Sequence, residues 1–172
     1  VPRRAQPSRR TLFASGAAML VHRATFLAVG GFDPDYFAYY EDVDLGWRLW
    51  LAGHEVRHVP AAVVRHRGGG TAGRLPADRR RCLHERNALA TVVKCYDDAN
   101  LRRLLPAAVA LAAVRAGARP EVIETASPAG RDGLPLPGAA WPGWAALEPL
   151  ELDLPALARA RRTVQTARRR PD

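Results

Sequence analysis

In 172 residues this chain has one lysine, one methionine, two cysteines and no long apolar run. Each shortage removes a class of explanation. Two cysteines cannot staple a disulfide scaffold, and Cys82 and Cys95 fall on one expected helix. Thirteen helical residues hold them about 20 Å apart, too far to bridge, a usage that fits a reducing compartment. Cys82-x-His84 has no second pair to complete a zinc site. The longest greasy stretch, Leu104 to Val114, contains Pro106 and is too short to span a bilayer. The opening residues do not read as a signal peptide, which is uninformative for an internal segment. The chain begins Val-Pro-Arg-Arg without an initiator Met and reads as an internal segment of a longer protein.

What is present is globular in kind. Hydrophobic residues make up 48% and charged residues 25%, so disorder is not the default. The length suits one domain or a piece of a larger one. The net charge of +9 is carried by 25 arginines and Lys94, a ratio that reads as base bias in the coding sequence. It is also uneven. Residues 1–10 hold four arginines and no acid, and residues 11–77 balance six arginines against six acids. Residues 78–118 come to +4, residues 119–158 to −4 and residues 159–172 to +5. Cationic flanks of this kind can meet nucleic acid or anionic lipid, or simply form a solvated surface.

Along the chain, Leu12 to Val21 mixes small and apolar residues and is expected as a buried strand. Ala24 to Val29 is a short helix stopped by Gly30-Gly31, and Phe32-Asp33-Pro34-Asp35 is a turn. Val43 to Leu49 alternates at strand period. An acidic start at Glu41-Asp42, an Asp44–Arg48 pair at i,i+4 and a stop at Gly53 favour helix instead, with Trp47, Trp50 and Leu51 on its buried face. Glu55–Val59 and Ala61–His66 read as strands parted by Pro60, and Gly68-Gly69-Gly70 as a loop. Helices are expected over Asp78–Tyr96, Asn100–Ala116 and Leu157–Arg170. Residues 117–150 are rich in Pro and Gly.

Chemistry concentrates in Tyr40-Glu41-Asp42-Val43-Asp44 and in His66, 24 residues after Asp42. Carboxylates and an imidazole brought together can take a proton from a hydroxyl or hold a divalent metal. Four stretches in order set the context: Ser15-Gly16-Ala17-Ala18-Met19-Leu20-Val21, Val29-Gly30-Gly31-Phe32-Asp33, Tyr40 through Leu49, then Gly53 and His66. Together they resemble family 2 glycosyltransferases, specifically the C-terminal half of the GT-A nucleotide-sugar domain in rhamnosyl- and galactofuranosyl-transferase-like enzymes. The likeness is strong over residues 8–73, and Glu85-Arg86-Asn87 through Tyr96 resembles the extension behind that domain.

The resemblance implies an α/β fold: a partial GT-A, Rossmann-like domain over residues 1–75, followed by a helical extension over 76–118. A Pro/Gly-rich linker over 119–154 and a basic helix over 155–172 complete the expected organisation. It implies an inverting sugar transfer from a nucleotide-sugar donor to a glycan or lipid-linked acceptor in cell-envelope synthesis. Asp42 takes the role of base. Glu41, Tyr40, Gly16, Asp44 and Arg67 fall on the substrate side, although Asp44 and Arg48 also serve the helix start. Asp42-Val43-Asp44 has the letters of the DxD metal motif, but in the family that motif lies upstream, in a nucleotide-binding half absent here. The family's late metal-binding histidine corresponds to His66, with Mn²⁺ or Mg²⁺ as the expected ion.

The expected setting is cytoplasmic, at the inner face of a membrane, through peripheral contact and with no nucleic acid partner. Without its nucleotide-binding half the chain alone is expected to be inactive. The competing reading is a non-catalytic basic helical module that docks on anionic membrane or nucleic acid. No nucleic-acid motif accompanies the arginines.

Overall fold

The computed structural model describes residues 7–66, 74–117 and 152–172. Helices dominate. Strand β1 (Arg9–Thr11) pairs antiparallel with β2 (Val56–His58), with Arg9 opposite His58. Between them lie two short 3₁₀ turns, Gly16–Ala18 and Pro34–Tyr36, and helices α1 (Arg23–Ala28) and α2 (Glu41–Leu51). Helices α3 (Ala77–Cys95), α4 (Asp98–Gly117) and α5 (Leu154–Thr166) follow. Most of the expected linker over 119–154 lies outside the described residues, as does Arg67.

Helix α2 forms where the acidic start and the i,i+4 pair place it. Gly53 ends it at φ +96°, where its N–H reaches Trp50 O at 2.9 Å and the His54 N–H reaches Leu49 O at 2.9 Å. This is a glycine-dependent C-terminal cap. Two expected strands are corrected. Leu12–Val21 forms no strand beyond the pairing at Arg9–Thr11, and Ala61–His66 is irregular and exposed. Neither segment finds a strand partner for its backbone among the described residues, and Leu20 is 99% exposed. A two-stranded sheet offers no face to bury them against.

Helix α3 is the centre of packing. Leu89 meets Ala112 of α4, Ala90 packs with Tyr36 and Leu157 of α5, and Cys95 packs with Leu51 and Val164. Trp47 and Trp50 are half-buried against that last group. The cysteines are unbridged, and burial pushes the Cys95 thiol far above its ordinary value, with the negative charge of Asp44 adding to the effect. A neutral buried thiol of this kind is inert. Among the described residues no helix is long and apolar enough to cross a membrane.

The carbonyls at the end of α3 lack helical partners, and side chains from the C-terminal segment supply them. Arg161 donates to Val93 O and Tyr96 O, Arg168 to Cys95 O, and Gln165 Nε2 to Lys94 O at 2.8 Å. The guanidinium of Arg170 lies 4.6 Å from the centre of the Trp50 ring. Three of the arginines that make the C-terminus basic are thus engaged within the chain.

Candidate active site

The chain entering α2 is held in an uncommon backbone shape. Phe37, Tyr39 and Tyr40 have φ of +56°, +69° and +65°, a region costly for residues with a Cβ. Such strain persists only where the surroundings over-determine it, and here α3 does so. The Asn87 side chain is fully buried, and its Nδ2 donates to Tyr36 O at 2.9 Å and to Ala38 O and Tyr39 O at 2.8 Å. Below it, the Tyr36 hydroxyl meets Thr91 Oγ1 at 2.8 Å. Burial, followed by the Asp44 charge, pushes the Tyr36 phenol far up, so it stays neutral.

The strained loop and the first turn of α2 form one wall of an open cleft of about 620 Å³. Its lining includes Tyr39, Tyr40, Glu41, Asp42 and Val43, with Phe13 and Ala38, and His84 from α3. Asp42 sits at its edge with both oxygens held. Oδ2 accepts from the Gly16 N–H at 2.9 Å, and Oδ1 from the Val43 N–H at 2.8 Å. Each oxygen keeps a further lone pair, so the group can still accept a proton from a hydroxyl within reach. Glu41 is beside it. A methyl group placed on Gly16 would lie 3.8 Å from Glu41 Oε1 and 3.9 Å from Asp42 Oδ2, so both carboxylates converge above Gly16. Glu41 Oε2 is buried and without a hydrogen-bond partner, an uncommon condition for a buried oxygen.

Tyr40 is both the residue before α2 and part of the wall. Burial pushes its phenol up, and the Glu85 carboxylate adds to this while Arg115 opposes it. Four expected residues, Gly16, Tyr40, Glu41 and Asp42, therefore come together.

Asp44 does not join them, which corrects its expected place on the substrate side. Its side chain is 0% exposed, and Arg48 reaches its Oδ2 through Nε at 2.8 Å and Nη2 at 2.6 Å. Lys94 reaches its Oδ1 at 2.7 Å and also holds Asp33 Oδ2 at 2.6 Å. Arg48 extends the web to Val29 O at 2.6 Å and Gly31 O at 2.7 Å. Asp44 is thus consumed in a buried ion network.

His66 is exposed and does not line the cleft. Among the described residues no group of three or more His, Cys, Asp or Glu side chains could hold a metal ion. One imidazole does not make an Mn²⁺ or Mg²⁺ site, so these residues do not by themselves fit the expected ion. Sequence reasoning missed Asn87 as the clamp of the loop and weighed His84 only as part of an incomplete pair with Cys82. Both act across more than 40 residues of chain, and no local spacing signals that.

Strained backbone, paired carboxylates and an aromatic-lined cleft thus meet at the start of α2. Residues 4–86 match Glycosyl transferase family group 2. Over 83 residues the chain is 46% identical to the N-acetylglucosaminyl-diphospho-decaprenol L-rhamnosyltransferase of Mycobacterium tuberculosis, covering 48% of this chain and 27% of that protein. It is 49% identical over 49 residues to the rhamnosyltransferase WbbL of Escherichia coli, covering 28% of this chain and 19% of that protein. The chain thus spans about a quarter or less of the length of these relatives. No solved structure matches it.

Proposed function

We propose that this chain is the acceptor-side part of an inverting glycosyltransferase of cell-envelope synthesis, one that moves a deoxyhexose such as rhamnose from a nucleotide-linked donor. Its acceptor is a sugar carried on a lipid diphosphate, as the name of the mycobacterial relative suggests. Residues 1–75 then belong to a GT-A catalytic domain and residues 76–118 to its helical extension. The protein works at the cytoplasmic face of the membrane that carries the acceptor.

The observation that carries this reading is the Asp42 carboxylate, fixed by two backbone N–H groups on the edge of a cleft. In the proposed reaction an acceptor hydroxyl gives its proton to Asp42 while its oxygen bonds to the anomeric carbon. The nucleotide leaves from the opposite face with the electron pair of the broken bond. The Gly16 and Val43 N–H groups orient the carboxylate, and Glu41 stands beside the acceptor. Arg67, which precedes Gly68-Gly69-Gly70 in the sequence, is the candidate partner of the donor diphosphate. A divalent ion enters this proposal only with carboxylates from outside the described residues, His66 being its candidate ligand here.

The alternative of a basic docking module is not favoured, because Arg161, Arg168 and Arg170 bond within the chain. The test uses the longer parent protein, nucleotide-linked L-rhamnose and N-acetylglucosaminyl diphosphate on a short prenol. Asp42→Asn keeps an oxygen for the Gly16 N–H but is a poor base, so transfer should fall about 10²–10⁴-fold with folding intact. Undiminished transfer by that variant removes Asp42 from the role. No transfer of any sugar by the unaltered parent overturns the proposed function.

A further inference from the structure

We infer that His84, on the helical extension, is a sugar-contacting residue that sets acceptor specificity, so that the extension completes the acceptor site. This rests on the proposed function above and adds an element that reading did not need.

The geometry is that of a three-ring wall. The His84 ring meets Tyr40 edge-on, with centroids 4.9 Å apart and planes at 82°, and lies 5.8 Å from Tyr39. All three line the cleft that Glu41 and Asp42 also line. The wall is fixed from α3 itself. Asn87, three residues on from His84 and so on a neighbouring part of the same helix surface, holds the carbonyls of Ala38 and Tyr39. The clamp therefore ties the backbone that carries the tyrosines to the helix that carries His84.

The side chain is 45% exposed, and its Nδ1 lies 3.7 Å from Glu85 Oε1. That carboxylate is 8% exposed, and a histidine ring offers both a donor and an acceptor nitrogen to a hydroxyl-bearing ligand. Facing aromatic rings and a pair of carboxylates suit one ligand class, a neutral sugar ring. Its C–H face lies on the wall, and its hydroxyl or amide groups meet the His84 ring nitrogens, Glu41 and Asp42. A purely anionic ligand would meet two carboxylates. An apolar one would leave them unpaired.

The test measures kcat and KM for acceptor and donor separately in the parent protein, for His84→Ala, His84→Phe and His84→Gln. The acceptor is again N-acetylglucosaminyl diphosphate on a short prenol. His84→Ala should raise acceptor KM about tenfold, with donor KM changed less than about twofold, the scale of one stacked ring or one good polar contact. His84→Phe keeps the ring and should recover part of the loss, and His84→Gln should recover a different part.

An unchanged acceptor KM in all three variants overturns the inference. So does an equal rise for donor and acceptor, or a fall in kcat alone that tracks a fall in Tm. If His84→Ala does not fold, the near-isosteric Phe and Gln variants decide by the same split. Saturation-transfer NMR from protein to the same acceptor separates this idea from the function it rests on. Absent sugar transfer with acceptor binding that depends on His84 overturns the reaction and keeps the contact. Normal transfer with binding indifferent to His84 does the reverse.

Discussion

Asp42 lies on a cleft and gives its oxygens to two backbone N–H groups, whereas Asp44, two residues on, is sealed among Arg48, Lys94 and the Tyr36 hydroxyl. The same side chain type, on the same helix, enters opposite surroundings. Two residues of helix turn through about 200°, so carboxylates at that spacing point to opposite sides and cannot grip one ion. This is the physical reason why an Asp-x-Asp triplet inside α2 is not a chelating pair. One face of the turn is left free for chemistry because the other fastens it. The fastening face joins the Asp33 turn, the end of α1 through Val29 and Gly31, helix α2 and helix α3.

The largest effect should come from removing the chain's only lysine. Lys94 is 2% exposed and neutralises two aspartates at once. Lys94→Met fills its volume but leaves Asp33 without its cation and Asp44 with Arg48 alone. Breaking one side of a buried pair costs about 3–5 kcal/mol, which urea unfolding would show as a lower midpoint with a similar slope. Asp42→Asn, on the cleft face, should move the same midpoint by no more than about 1 kcal/mol. Equal shifts for the two variants would erase the contrast between the faces.

A smaller effect tests the join between α2 and the segment that carries Gly16. Gly46 is inside the helix, where alanine is normally better by about 1 kcal/mol. Here a Cβ would lie 2.5 Å from Phe13 Cβ and 2.6 Å from the Leu12 carbonyl oxygen, which forces backbone to move. Overpacking of that kind costs about 1–3 kcal/mol, so the clash outweighs the propensity. Gly46→Ala should lower stability and, by shifting residues 12–16, weaken the Gly16–Asp42 contact and slow sugar transfer by the parent. Gly16→Ala meets nothing closer than 3.8 Å and should leave stability within about 0.5 kcal/mol. If Gly46→Ala is the milder of the two, the close approach is not a constraint.

Local patterns announced what they could. The Asp44–Arg48 spacing, the acidic start and Gly53 together gave helix α2 against a strand-like alternation, and the pair forms with both members buried. Strand β2 falls inside the expected Glu55–Val59. The expected strand over Leu12–Val21 failed because small apolar residues suit any close backbone contact. The glycine that explains the actual contact, Gly46, reads from sequence only as a blemish in a helix. The remaining site features are long-range. Asn87 reaches back 48 residues to Tyr39, and Lys94 reaches back 61 residues to Asp33. A family resemblance pointed to Asp42. Only packing could bring His84 to the same cleft.

The smallest expected effect concerns Asp33, where the buried network can be loosened without a cavity. Burial raises its carboxyl, but the hydrogen bond and charge of Lys94 outweigh that and hold it below the ordinary 3.8. A carboxyl depressed by folding stabilises the fold above its unfolded pKa, and that contribution is lost as pH falls through the lower folded value. Asp33→Asn should therefore be less stable than the unaltered chain by a constant margin above pH of about 5, and the margin should close below about 4. It should stay smaller than the Lys94→Met loss at every pH, because Lys94 keeps Asp44 when Asp33 is gone. Thermal unfolding between pH 3 and 7 reads both differences. A margin that widens in acid would mean that Asp33 is not held charged by Lys94, and that the ion network ends at Asp44.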